Sequence, residues 1–199
     1  MGETTLQDRR LAASTHVTSL YTALKQTALA FIDAQKHNPN LAQKMDLDAL
    51  RLLTTPGYTH TFGPHYSVSQ SPKLQGRFDF EAFKGHLESM LPMLERWEID
   101  VKSVVVDAAG ASVVVRASYV MHVKGAGERE GVENDVVWWL ELEEQQSGSE
   151  VGEGNEVGGG WKVRKSTEIV DFGASGRIRE LMMRGKDGGG RKDSAAIAD

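Results

Sequence analysis

The chain has 199 residues, 40% of them hydrophobic, which suits a single domain with a real core. Its net charge of −5 argues against nucleic acid or an anionic membrane as partner, and the absence of cysteine excludes disulfides, thiolate nucleophiles and cysteine metal sites. With no signal-peptide pattern and no apolar run long enough to span a bilayer, a cytoplasmic protein is expected.

Residues 1–13 are polar and aperiodic and read as a flexible arm. Ser14 or Thr15 can cap a helix in which Val17, Leu20, Tyr21, Leu24, Ala28, Phe31 and Ile32 keep the helical period, and Asn38-Pro39 ends it. Asp46 can cap a second, shorter helix carrying Leu47, Leu50 and Leu53, stopped at Pro56-Gly57. Residues 58–68 are rich in aromatics and histidines and read as a short strand and a loop. A polar loop follows at 69–77. Asp79 looks like the cap of a third helix, with Phe80, Phe83, Leu87, Met90 and Leu91 on its buried stripe and Pro92 ending it.

From Trp97 the period switches to two. Strands are expected over 97–106, 112–124, 132–143 and from Trp161, the second being valine-rich and so buried on both faces. Residues 145–160 are glycine- and acid-rich and read as a disordered loop insertion. In the last strand Trp161, Val163, Thr167 and Ile169 alternate with Lys162, Arg164, Ser166 and Glu168. Gly173, Ala174, Ser175 and Gly176 then break the strand, Ile178, Leu181 and Met182 mark a short C-terminal helix, and 186–199 read as a disordered tail. Segregated helices and strands predict an α+β domain over 14–185, with three N-terminal helices on a curled, mostly antiparallel sheet.

Three stretches carry a resemblance. Asn134-Asp135-Val136-Val137-Trp138 looks like the Asn-Glu-Tyr-x-aromatic strand of fungal SnoaL-like proteins. Residues 161–171 with Arg177-Ile178-Arg179-Glu180-Leu181 look like their closing strand, acidic turn and helix. Tyr58-Thr59-His60 with Pro64 looks like their histidine-then-proline segment. The chain thus resembles the SnoaL-like branch of the nuclear-transport-factor-2-like superfamily over roughly residues 14–185. The resemblance implies a cone-shaped, cystatin-like roll around a deep apolar pocket, often dimeric and mostly cofactor-free. Ketosteroid isomerase, scytalone dehydratase and polyketide cyclases share it. In SnoaL-type cyclases an acidic residue of the closing strand is catalytic, and that position falls on Glu168. The chain departs from the pattern at Val132 and Val136, where some relatives place tyrosines, and at Asp135, where glutamate is usual.

Glu168 is the leading candidate for acid–base work, because apolar walls raise a carboxyl pKa toward the range useful for proton transfer. Otherwise it is a surface glutamate paired with Arg164 or Lys165. His60 is expected as the proton donor, with His65 and Tyr58 nearby, or else as an exposed loop histidine. His60 and His65 lack the i, i+4 spacing of a metal pair, and neither a metal nor another cofactor is expected. Asn134 either orients a substrate or satisfies the sheet rim. Arg116 needs a partner among the valines, from Asp135 or Glu168. Trp138 and Trp139 point to opposite faces; one lines the pocket, and the other marks a homodimer contact on the convex side or lies under the C-terminal helix. The function expected is proton transfer on a hydrophobic polyketide-like or polycyclic molecule, as an isomerase, cyclase or dehydratase. The alternative is a non-catalytic small-molecule-binding or dimeric interaction domain.

Overall fold

A computed structural model describes residues 6–127, 130–145 and 160–188. The elements run α1 (Leu6–Asp33), α2 (Leu47–Leu52), β1 (Thr54–Gly63), α3 (His65–Ser69), α4 (Phe80–Met90), β2 (Leu94–Asp107), β3 (Ser112–Val123), β4 (Val132–Glu144), β5 (Trp161–Val170) and α5 (Phe172–Gly188). The strands form one curved sheet in the order β1-β5-β4-β3-β2. β1 runs parallel to β5, and the other neighbours are antiparallel. The fold is α+β, with α1, α4 and α5 packed on the inner face of the sheet.

Local chemistry explains most boundaries. Asp46 caps α2 by accepting from the Ala49 N–H, and Asp79 caps α4 by accepting from the Ala82 N–H, both at 2.8 Å. Asp171 caps α5, accepting from Gly173 and Ala174 at 2.8 and 3.1 Å. The segment 173–176, expected as a strand-ending turn, is therefore the opening of α5. The helix α1 starts at Leu6, ahead of the expected cap at Ser14 or Thr15. Leu24, Ala28, Phe31 and Ile32 are buried as the stripe requires, but Val17 and Tyr21 stay exposed and lie outside the core.

Two expectations about strands change. Pro56-Gly57 does not end α2, which stops at Leu52 with Leu53 as its C-cap. Instead the pair sits in a bulge of β1, where Thr54 faces Val163 and the next aligned pair is Thr59 with Lys165. An edge strand tolerates a proline there because no ladder donor is lost. β3 is not buried on both faces. Val113, Val115, Ala117 and Tyr119 are buried, whereas on the other face Ser118 is buried, Val114 half-buried and Arg116 exposed. The expected insertion at 145–160 and the tail at 186–199 lie mostly outside the described residues, as does the start of the arm.

Candidate active site

A change of phase in β5 builds the site. Strict alternation would send Val163 to one face and Ser166 and Glu168 to the other. Pairing with β4 breaks that alternation. Val163 faces Leu142 and Lys165 faces Glu141, which leaves Arg164 as an extra residue. This is a β-bulge, and every side chain beyond it changes face. Val163 and Ser166 are both wholly buried as a result. Arg164 and Lys165 turn outward, and each binds Glu141 at 2.7 Å. They do not pair with Glu168.

Glu168 lies between Trp138 on β4 and Phe62 on β1, its register partners. Its side chain keeps 18% exposure, so solvent still reaches the carboxyl. Burial pushes its pKa up to about 8, because the charged form loses most of its hydration. Its charge in turn raises the pKa of the Tyr58 and Tyr119 phenols, which burial already holds in the protonated form.

His60 stands next to Glu168, with Nε2 3.7 Å from Oε2. The ring is 0% exposed. Phe62 and Phe83 pack against it at 4.4 and 4.2 Å, and Trp138 at 5.8 Å. Burial, with a smaller contribution from His86, lowers its pKa to about 3. The expectation that His60 is the proton donor is corrected on two counts. A wholly enclosed ring cannot touch a substrate, and a neutral imidazole is a poor acid near neutral pH. Behind it, Ser166 Oγ lies 2.8 Å from His60 Nδ1 and 2.6 Å from Tyr58 Oη.

The other expected site residues separate. Tyr58 and Trp138 belong to the buried cluster. Asn134 faces inward but serves the β5–α5 junction. Its Oδ1 accepts from the Asp171 N–H at 3.1 Å, and its Nδ2 donates to Ser175 Oγ at 3.4 Å. Arg116 is on the outer face, donating two bonds to Asp135 Oδ2 and one to Oδ1, and takes no part in the cluster. His65 is also absent from it. It lines a groove of about 500 Å³ on the outer face, with Pro64, Trp139, Lys165 and Ile169. Trp139 is 53% exposed there, so α5 does not cover it.

No protein-family model and no curated protein matches the chain. Solved structures do. PrhC from Penicillium brasilianum aligns with TM-score 0.59 at 13% identity, over 84% of this chain and 92% of that one. BvnE pinacolase from Penicillium brevicompactum aligns with TM-score 0.59 at 12% identity, over 83% and 94%. A proposed SnoaL-like polyketide cyclase from Jannaschia sp. CCS1 aligns with TM-score 0.54 at 17% identity, over 80% and 92%. The fold is SnoaL-like.

Within this SnoaL-like cone, reading the sequence missed several residues that surround the carboxyl. Ser166 is two residues before Glu168, so alternation puts the two on one face, and that was the available signal. Tyr119 accepts from Trp138 Nε1 at 2.9 Å and donates to Gln35 Oε1 at 3.3 Å, which fixes the indole beside Glu168. His86 packs on Phe62 at 5.1 Å, and burial lowers its pKa. Its position one helical turn after Phe83 was the available signal. Among the described residues, no group of three or more His, Asp or Glu side chains could hold a metal ion.

Proposed function

We propose that this protein is a cytoplasmic, cofactor-free enzyme that moves a proton on a hydrophobic polycyclic or polyketide-like molecule, with Glu168 as the proton-transfer group. The supporting observation is the Glu168 carboxyl itself, reachable by solvent at 18% exposure yet desolvated enough to hold its proton up to about pH 8. Such a carboxyl is poised for both halves of an isomerisation, cyclisation or dehydration. As a carboxylate it takes a proton from carbon or oxygen. As an acid it returns one. Tyr58 and Trp138 shape its surroundings, and His60 acts from behind. Similar folds add support: BvnE is named a pinacolase, and TerC, a solved structure that aligns with TM-score 0.52 at 14% identity over 81% of this chain and 98% of that one, has been co-crystallised with polyporic acid.

Proton exchange at the carbon beside the carbonyl of a tetralone, a bicyclic aromatic ketone, tests this reading in heavy water by NMR. Wild type should accelerate exchange, and Glu168→Gln should abolish it while still binding polyporic acid, read by tryptophan quenching. Equal exchange in both proteins would overturn the role of Glu168. The packing of Trp138 and Phe62 around His60 favours a second reading, a non-catalytic binder. Binding of polyporic acid without any exchange in wild type would decide for it.

We also propose that two copies pair through the convex face around Trp139, whose exposure beside the outer groove is the supporting observation. Sedimentation equilibrium should give twice the protomer mass for wild type and the protomer mass for Trp139→Ser. A single-protomer mass for wild type would contradict pairing.

A further inference from the structure

We propose that Ser166 is a positioning residue: backed by Tyr58, it holds His60 in the tautomer whose proton is on Nε2, and so aims a neutral N–H donor at the Glu168 carboxyl. The proposal rests on the reading of Glu168 as the proton-transfer group, but its test does not depend on activity.

The direction follows from counting protons along a buried chain. Tyr58 and Ser166 are both buried, and the phenol keeps its proton. Among the described residues the only hydrogen-bond partner of Tyr58 Oη is Ser166 Oγ, at 2.6 Å. Pointing the phenol proton elsewhere would orphan a buried O–H, which folded proteins avoid. Tyr58 therefore donates and Ser166 accepts. The hydroxyl proton of Ser166 is then free for its other neighbour, His60 Nδ1 at 2.8 Å. A neutral imidazole carries one proton on two nitrogens. With Nδ1 accepting, that proton is on Nε2.

Nε2 is buried and has no hydrogen-bond partner among the described residues. The group it faces is Glu168 Oε2, at 3.7 Å. That gap is too long for a hydrogen bond, but catalytic contacts are often loose before a substrate docks. Phe62, Phe83 and Trp138 wall the ring on its other sides. The remaining titratable neighbours are His86, against Phe62, and Tyr119, which accepts from Trp138 Nε1.

Two consequences follow for the chemistry. When Glu168 has given up its proton, a fixed N–H supports the carboxylate at Oε2. When Glu168 holds the proton, Nε2 has no lone pair to receive it, so the proton cannot leak backward into the core. Ser166 thus acts through His60, and touches neither the substrate nor the carboxyl. The β5 bulge is what brings Ser166 and Glu168 to the same face as His60.

Long-range proton–nitrogen NMR on the full chain with labelled histidine reads the tautomer directly. In wild type, His60 should show Nε2 protonated and Nδ1 bare. Ser166→Ala should lose that preference, Ser166→Thr should keep it, and Tyr58→Phe should weaken it by freeing the serine oxygen to accept from an Nδ1–H. The Glu168 titration midpoint should rise in Ser166→Ala, which a purely structural role for the hydroxyl would not cause. Wild type with its proton on Nδ1, or Ser166→Ala with the wild-type tautomer, would overturn the proposal. The wild-type spectrum decides even where a variant does not fold. Failure of the tetralone test with this tautomer intact would sink the catalytic reading and leave the positioning geometry standing.

Discussion

Replacing Glu168 with glutamine should stabilise the folded protein in alkaline solution. The amide has nearly the shape of the carboxyl but cannot ionise. In the folded state Glu168 holds its proton up to about pH 8, against 4.5 for an ordinary glutamate. Between those values the folded chain binds a proton that the unfolded chain has released. Wild-type stability therefore falls as pH rises through that window, and the loss is complete above about pH 8. At about 1.4 kcal/mol per pH unit, a window from 4.5 to about 8 sets a ceiling of about 5 kcal/mol. The 18% exposure of the side chain lets water reach the ionised carboxylate and reduces the loss below that ceiling. Urea unfolding of both proteins across the window measures the difference. The two should match near pH 4.5 and diverge toward pH 8, with the glutamine variant the more stable. Parallel curves, or a wild type that stays the more stable in alkali, would refute a desolvated Glu168.

His60 should act in the opposite direction in acid. Its folded pKa of about 3 lies below the ordinary 6.5, so wild type loses stability as pH falls through that window. The deficit of His60→Phe in thermal melting should shrink over the same range, and a constant deficit would show that the ring is not buried neutral. Asn134→Ala removes the side-chain acceptor of the Asp171 N–H, which keeps its bond to the Asp135 carbonyl, at a cost of about 1 kcal/mol; hydrogen exchange should quicken at the start of α5. Arg116→Ala breaks an ion pair exposed on the outer face and should leave tetralone exchange unchanged; lost exchange would return Arg116 to the site.

Much of this molecule could be read from residues because the signals were local. Asp46 and Asp79 stood one residue ahead of apolar helical stripes, and the valine runs had a period of two. Trp138 and Trp139, being adjacent, had to face opposite ways, and so they do, one buried and one exposed. What could not be read was long-range register. Nothing in Lys162-Val163-Arg164-Lys165-Ser166 shows which residue will be extra, because the bulge exists only against Glu141 and Leu142 on β4. Without it, Glu168 would share a face with Lys162 and Arg164 and point to water. His60 was similarly ambiguous. Its burial depends on Phe83 from α4 and Trp138 from β4, both remote in sequence. Pro56-Gly57 misled because the same dipeptide suits a helix stop and an edge-strand bulge alike.

Titration of the Glu168 carboxyl carbon by NMR, with Glu168→Gln assigning the signal, tests the central claim most directly. The midpoint should lie near pH 8. A midpoint near 4.5, the value of an ordinary hydrated glutamate, would contradict it.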